Sequence, residues 1–300
     1  MANPSFETQQ DMNGNGDEPA VDIAPKRRKA SWPLIILATL FVVVPFLTWY
    51  GTWFGRRLSD DDIAGYLADN QNPRHIQHAL SLIEARIEGG DPSAKKFYPQ
   101  VIAQSKNPMG EVRKTTAWVM GQDNTSEDFH RALLDLLKDG EPLVRRNAAL
   151  QLVRFGDASG RPEFRAMLQP FAANSPIAGT LMSLLPEGAT LKAGGLLARI
   201  RDASGNVQEF RAPVDGAISK VEAKESDSVT EKQTLFWLTP DRSTVIDALR
   251  ALLYVGTPED SPLLDAYKNN SANESALRDL AASAAKAIRT RGEQSSQKWP

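Results

Sequence analysis

The sequence predicts a mainly α-helical protein: a solenoid of paired helices, interrupted by a small all-β barrel and preceded by one transmembrane helix. Three observations predict this fold class. Apolar residues recur at helical spacing, and the pattern repeats about 32 residues further along the chain. Between residues 175 and 240 the apolar period changes from 3.6 to two, and turn residues multiply. Residues 32–50 contain no charged side chain.

The composition excludes several classes of function. The chain has 300 residues, a net charge of −2, no cysteine and three histidines. Without cysteine there is no disulfide, thiolate nucleophile or thiolate-bound metal. A net charge so close to zero does not favour a nucleic-acid partner.

Residues 1–30 are predicted to be a disordered cytoplasmic tail. Residues 1–25 hold acidic, amide and Gly residues but no Lys or Arg, and they cannot bury enough apolar surface to fold. The tail is either an interaction segment or a solvated leader.

A transmembrane helix is predicted over residues 31–54. As a helix, the uncharged run of residues 32–50 would measure roughly 28 Å, against an apolar bilayer thickness of about 30 Å. A cleaved signal peptide would need a small-residue cleavage site, and a buried core helix would show a polar stripe. The run is flanked by aromatic residues expected at the membrane interface, namely Trp32, Trp49, Tyr50 and Trp53.

The basic residues at positions 26–29 precede this run. Positive charge on that side favours a cytoplasmic N-terminus and an exported body. The sequence therefore predicts a single-pass protein of the plasma (inner) membrane.

Helical pairs are predicted over residues 59–174. Val144, Ala148 and Leu152 place one apolar stripe on a helix that starts near Pro142, and Arg145, Arg146, Gln151 and Arg154 are left for the other side. Thirty-two residues earlier, Val112 and Arg113 repeat Val144 and Arg145. Matching core positions in a fixed register indicate stacked helices that share one core.

The residues Asp139-x5-Arg145 resemble the pattern of HEAT repeats, in which a loop Asp precedes Val-Arg at the start of the second helix. The resemblance covers about residues 60–170 and 242–290. It implies a HEAT-type α-solenoid and a polar ladder between repeats, formed here by Asp139, Arg145 and Arg113. The alternative is that these are solvated residues at a helix start.

The predicted β domain, residues 175–240, contains a duplication. Residues 175–200 align with residues 211–238, so that Gly179 corresponds to Gly216 and Leu191 to Val229.

These two halves resemble the biotinyl/lipoyl-like fold, with Ala212-Pro213-x-x-Gly216 as the start of its second half. Carrier members of that family acylate a Lys on the turn between the halves. The turn here, residues 201–210, has no Lys, and Gly205 occupies its place. The resemblance therefore implies an unmodified member without a cofactor.

Further HEAT-like helices are predicted over residues 241–292, and a polar tail over residues 293–300. His75 and His78 lie at i, i+3 on a predicted helix, but no third metal ligand is near them in the sequence.

The sequence predicts a non-catalytic, membrane-anchored scaffold with a protein partner in the membrane or periplasm, held to the membrane through residues 32–50. No nucleophile with an adjacent base and no Gly-rich phosphate loop is present. Two alternatives stay open. One is a periplasmic adaptor of an export system, and the other is a lyase of the HEAT-like class that attaches bilin pigments.

Overall fold

The computed structural model describes residues 32–49 and 58–296. The chain divides into two compact units, Met1–Arg57 and Leu58–Pro300. The described part of the first unit is helix α1 (Trp32–Trp49), which has Pro45 in its interior. The apolar side chains of α1 are exposed, including Phe41 and Val42.

Helix α1 does not fulfil the prediction of a membrane span. Nowhere in residues 32–49 and 58–296 does a helix combine the length and the apolar character that crossing a membrane requires. The predicted transmembrane helix over residues 31–54 is therefore wrong, and so is the single-pass, inner-membrane location that depended on it.

The predicted fold class is wrong for the same reason, because it included that helix. The described residues form α-helices and two antiparallel sheets of four strands each.

The second unit begins with helices joined by short turns. Ser59 starts the first of them with a capping box, in which its hydroxyl accepts the N–H of Asp62 and the Asp62 carboxylate accepts the N–H of Ser59. The helices before the sheets are α2 (Asp60–Ala68), α3 (Pro73–Glu88), α4 (Tyr98–Gln104), α5 (Gly110–Met120), α6 (Glu127–Leu136), α7 (Pro142–Arg154) and α8 (Arg161–Met167), with a 3₁₀ turn at Pro92–Phe97.

Three α-helices of the described residues follow the sheets, α9 (Arg242–Val255), α10 (Ser261–Asn269) and α11 (Ser275–Ser296), with a 3₁₀ turn at Pro258–Asp260. Helix α11 continues past residue 292, into the stretch predicted to be a polar tail. We call α2 to α11 the helical layer.

The helical layer is continuous across the inserted strands. Helix α8 packs on α9, and the carboxylate of Asp260, which is fully buried, accepts hydrogen bonds from Arg161 and Arg165 on α8. One apolar core joins α2 to α7 and a second joins α7 to α11. Helix α7 contributes Leu152 to the first core and Ala149 to the second.

The strands form the β unit, residues 171–240. Its two sheets have the orders β1-β8-β6-β3 and β5-β4-β2-β7, and all pairings are antiparallel. Strand β1 precedes residue 175, at which the β domain was predicted to begin. The strands are β1 (Phe171–Asn174), β2 (Gly179–Leu184), β3 (Thr190–Leu191), β4 (Leu196–Arg201), β5 (Val207–Arg211), β6 (Gly216–Val221), β7 (Ser228–Val229) and β8 (Thr234–Pro240).

The strand pairing reproduces the duplication in the sequence. Gly179 in β2 pairs with Val229 in β7, and Gly216 in β6 pairs with Leu191 in β3. Both glycines are required by close backbone contacts. A Cβ on Gly179 would lie 2.2 Å from the carbonyl oxygen of Arg201, and one on Gly216 would lie 2.4 Å from that of Thr239.

The β unit has its own apolar core, and helix α7 reaches it. Leu143 in the first turn of α7 packs against that core. This contact places one side of α7 against the β unit.

Candidate functional site

A cleft of about 370 Å³ lies where α7 and α9 approach the β unit. Helices α5 and α8 complete its walls. Helix α7 lines it with residues at helical spacing, so one stripe of this helix faces the cleft. The lining residues are Glu111, Lys114, Leu143, Arg146, Asn147, Leu150, Met167, Ala193, Asp215, Ser243, Thr244 and Asp247.

Arg146 is the buried cation of this cleft. It is only 6% exposed, and its guanidinium carbon lies 5.8 Å from the ring centroid of Phe171 in β1. The position follows from the helix. Val144 and Ala148 turn into the helical core, and Arg146 between them turns towards the β unit.

The guanidinium of Arg146 has no polar protein partner within residues 58–296. Its Nε atom is buried and makes no hydrogen bond. Burying a charge without a partner costs on the order of several kcal/mol. Arg146 is therefore held by packing and by the aromatic ring, and its charge has no direct ion-pair partner among the described residues.

The carboxylates whose charges act on Arg146 form their hydrogen bonds with other basic residues. Glu163 accepts Nε of Arg145 at 2.8 Å. Asp215 and Asp241 accept Nζ of Lys192 at 2.8 and 2.9 Å. Burial lowers the pKa of Arg146 from its ordinary value, and the charges of Glu163, Asp215 and Asp241 only partly oppose this.

Lys192 joins the β unit to helix α9 at the edge of the cleft. Asp215 precedes β6, and Asp241 is the N-cap of α9. The hydrogen bonds to Asp215 and Asp241 raise the pKa of Lys192 well above its usual range. We call this contact the Lys192 bridge.

Asp247 is a second charged group in the cleft without a direct partner. Within the described residues its carboxylate forms no hydrogen bond and no ion pair. Partial burial raises the pKa of Asp247; the charge of Arg250 opposes the rise and that of Asp241 adds to it. Asp247 is exposed to solvent, so the cleft presents one buried cation without a direct partner, Arg146, and one solvated carboxylate.

The residues of the predicted polar ladder lie together at the starts of α5 and α7. Arg113 donates from Nε and Nη2 to the two carboxylate oxygens of Asp139, at 2.6 and 2.8 Å. Arg145 donates to the backbone carbonyl of Asp139 at 2.8 Å, while its carboxylate partner is Glu163. A functional role for Asp139, Arg145 and Arg113 stays a prediction.

The Asp139 carboxylate, which pairs with Arg113, is held in its ionised form. Burial alone would raise the pKa of Asp139. Hydrogen bonds from Arg113 and from the N–H of Glu141, with the charges of Arg113 and Arg145, hold that pKa below its ordinary value.

The residues predicted for a membrane interface are separated by the limits of the described chain. Trp32 begins α1 and is 76% exposed. Trp49 ends α1. Tyr50 and Trp53 lie outside the described residues.

Sequence reasoning missed Arg146 and Asp247. It placed Arg146 and Gln151 on the solvated side of the helix, but both are buried. A second apolar stripe was visible in the sequence, because Leu143 and Leu150 flank Arg146 at i−3 and i+4. That stripe predicts a helix covered on two sides.

No family model and no curated protein sequence matches the chain. Among solved structures, the chain is similar to a single-chain, multi-domain long-chain acyl-CoA carboxylase. The match is 19% identical, covers 44% of this chain and 15% of the carboxylase chain, and has a TM-score of 0.23. A similarity this weak carries no argument about fold or activity.

The family prediction, which joined HEAT repeats, a biotinyl/lipoyl-like insert and one N-terminal anchor, is wrong, because no helix of the described residues can span a membrane and no family model matches the chain. The physical reason lies in the residues that suggested it. Core positions that match at a fixed spacing arise in any stack of antiparallel helix pairs, and the Asp139–Arg145 spacing is also met by a solvated helix start.

Proposed function

We propose that this chain is a non-catalytic binding protein that docks an acidic side chain of a partner polypeptide in the cleft. The observation that carries the proposal is Arg146, a buried guanidinium without a polar partner at the wall of an open cleft.

A carboxylate is the group that best compensates this cation. The planar guanidinium offers paired N–H donors whose spacing matches the two oxygens of a carboxylate. Phe171 stacks beside it and restricts its orientation, so less side-chain entropy is lost when a ligand binds. In a partly desolvated cleft a charge-assisted hydrogen bond is stronger than in water.

The remaining walls suit a polypeptide. Leu143, Leu150 and Met167 supply an apolar surface beside Arg146. Asn147 adds a side-chain amide whose N–H groups can donate to a peptide backbone. A segment with an acidic residue next to an apolar one would satisfy both kinds of surface.

Binding is favoured over catalysis by the state of the cleft's hydroxyl groups. Ser243 donates its hydroxyl to Asp241 at 3.0 Å. Burial would raise the pKa of Asp241, but hydrogen bonds from Thr244, Lys192 and Ser243 hold that pKa well below its usual range. A carboxylate of such low basicity is a poor general base at neutral pH.

The test is binding of labelled short peptides, measured by fluorescence anisotropy. Peptides that contain Glu or Asp beside Leu are paired with copies that carry Gln or Asn instead. We expect the acidic member of a pair to bind wild type and to lose about tenfold or more in affinity with Arg146→Met, because a hydrogen bond to a charged group is removed. Arg154→Met, at an exposed position of the same helix, is the matched control.

Equal binding of the acidic and amide peptides by wild type would overturn the proposal. Competition by acetate at the same concentration as the acidic peptide would overturn the claim that the ligand is a polypeptide, because the cleft would then accept any carboxylate.

A further inference from the structure

We infer that the cleft selects an extended segment in which apolar residues stand two positions before and two positions after the acidic one. Leu143 and Leu150 receive these two apolar side chains, one each. The inference rests on the proposed function and turns its requirement for apolar groups near the acidic one into a defined sequence pattern.

The first argument is the order of residues along α7. Leu143, Arg146 and Leu150 all belong to this helix, and all three line the cleft. They occupy positions i−3, i and i+4, which share one face of a helix. Leu143 and Leu150 are only partly buried by the apolar cores that they contact, so part of each side chain is open to the cleft. Arg146 is therefore flanked by apolar surface on both sides.

The second argument is the spacing along this stripe. At about 1.5 Å per residue, Leu143 and Leu150 lie about 4.5 and 6 Å from Arg146 along the helix axis. In an extended segment, the side chains at i−2 and i+2 leave on the same side as that at i, about 6.6–7.2 Å from it. The difference of about 1–3 Å is within the reach of leucine rotamers. The neighbours at i−1 and i+1 leave on the opposite side, so the pattern is apolar-x-acidic-x-apolar.

The third argument is that Asn147 favours an extended segment over a helical one. Its Oδ1 accepts a hydrogen bond from Nε2 of Gln151 at 3.4 Å, and its Nδ2 has no acceptor among the described residues. Asn147 follows Arg146 in the chain and lines the same cleft. An extended segment presents free backbone carbonyl groups to such a donor, whereas a helix uses most of its carbonyl groups in its own hydrogen bonds.

The experiment uses labelled peptides of equal length with the central patterns Leu-x-Glu-x-Leu, Asn-x-Glu-x-Leu, Leu-x-Glu-x-Asn and Leu-x-Gln-x-Leu. Their affinities are measured by fluorescence anisotropy for wild type, Leu143→Ala and Leu150→Ala. Each comparison is a ratio of two peptides on the same protein, so a smaller folded fraction of a variant cancels from it. Tyr254→Ala, at a position of α9 that is 69% exposed, is the control for removal of an apolar side chain outside the cleft.

For wild type we expect the replacement of either flanking Leu of the peptide by Asn to weaken binding by about fivefold, because each flank buries apolar surface on one leucine of α7. In Leu150→Ala, one of these two replacements is expected to lose most of its effect while the other keeps it. In Leu143→Ala the two replacements exchange these roles. Tyr254→Ala is expected to behave as wild type.

Equal flank effects in wild type and in both leucine variants would overturn the inference while leaving the proposed function in place. Tighter binding of a peptide with Leu three residues before and four residues after Glu would also overturn it, because that spacing belongs to a helix. If Leu-x-Gln-x-Leu binds wild type as tightly as Leu-x-Glu-x-Leu, the proposed function itself fails.

Discussion

Arg113 and Arg146 are arginines of the same helical layer with opposite surroundings. Arg113, on α5, donates to both oxygens of Asp139 and to the carbonyl of Asn107. Arg146, on α7, contacts an aromatic ring and no polar protein group within the described residues. Both are largely buried, with 14% of the Arg113 side chain and 6% of Arg146 exposed.

The difference separates a group that stabilises the fold from one that is available to a ligand. A buried arginine with a complete set of acceptors stabilises the fold. Its removal leaves those acceptors without their hydrogen-bond donor. A buried arginine without acceptors lowers stability in the free protein, and a ligand that supplies the acceptor recovers that free energy as affinity. The predictions below test this distinction.

The largest effect is expected at the Arg113–Asp139 pair. Arg113→Met removes the cation and leaves the Asp139 carboxylate, only 9% exposed, without its main partner. We expect the free energy of unfolding to fall by about 3 kcal/mol, in line with the loss of one member of a buried ion pair. The measurement is urea unfolding of the full chain followed by far-UV circular dichroism.

The double variant Arg113→Met with Asp139→Leu is the control, because it removes both charges. It is expected to recover part of the lost stability. A change of less than about 0.5 kcal/mol in Arg113→Met would mean that this pair behaves as a solvent-exposed ion pair.

Arg146→Met is expected to act in the other direction. Methionine fills a similar volume beside Phe171 and removes an uncompensated charge, so the free energy of unfolding should rise by about 1 kcal/mol. Urea unfolding under the same conditions checks this. A decrease as large as that of Arg113→Met would show that Arg146 has a structural partner in solution, and the comparison between the two arginines would fail.

The pH dependence of stability should report the Arg113–Asp139 pair. The folded-state pKa of Asp139 is depressed below its ordinary value of 3.8. The stabilisation is therefore fully present above about pH 4 and is lost as the pH falls through the folded-state pKa. Asp139→Asn should flatten this part of the stability curve, measured by urea midpoints between neutral and acid pH. If the stability of Asp139→Asn falls equally steeply over the same pH range, the loss belongs to other carboxylates.

The smallest effect is expected at the Lys192 bridge, where the Lys192 side chain is 75% exposed. Lys192→Met should change the free energy of unfolding by no more than about 0.5 kcal/mol at low salt, and by less at high salt because solvent ions screen exposed charges. Unfolding at two salt concentrations checks this. A salt-independent loss would mean that Lys192 acts through packing.

Two features of the fold could be predicted from local signals in the sequence. The start of α7 near Pro142, and the duplicated glycines of the β unit, follow from single residues with strict backbone demands. The same patterns did not establish a family, since stacked helix pairs share them whatever their origin. The uncharged run of residues 32–50 also predicted a membrane span, which helix α1 does not fulfil.

The candidate site could be predicted only in part. Arg145, Arg146 and Arg154 look alike in the sequence as basic residues of one helix. Their surroundings differ because a segment inserted after α8 folds back onto one side of α7, and that packing depends on residues distant in the chain. A local pattern does not contain these contacts.

The most direct test of the central claim is an NMR measurement of the Arg146 guanidinium in the full chain. The ¹⁵Nε–¹Hε signal of Arg146 is assigned by its disappearance in Arg146→Met. Addition of a peptide with Glu beside Leu should shift this signal in a saturable way, whereas its Gln copy should leave it in place and the signal of Arg113 should not move with either peptide. A signal of Arg146 that ignores both peptides, or that moves equally with both, would contradict the claim that this arginine is kept free for a partner's carboxylate.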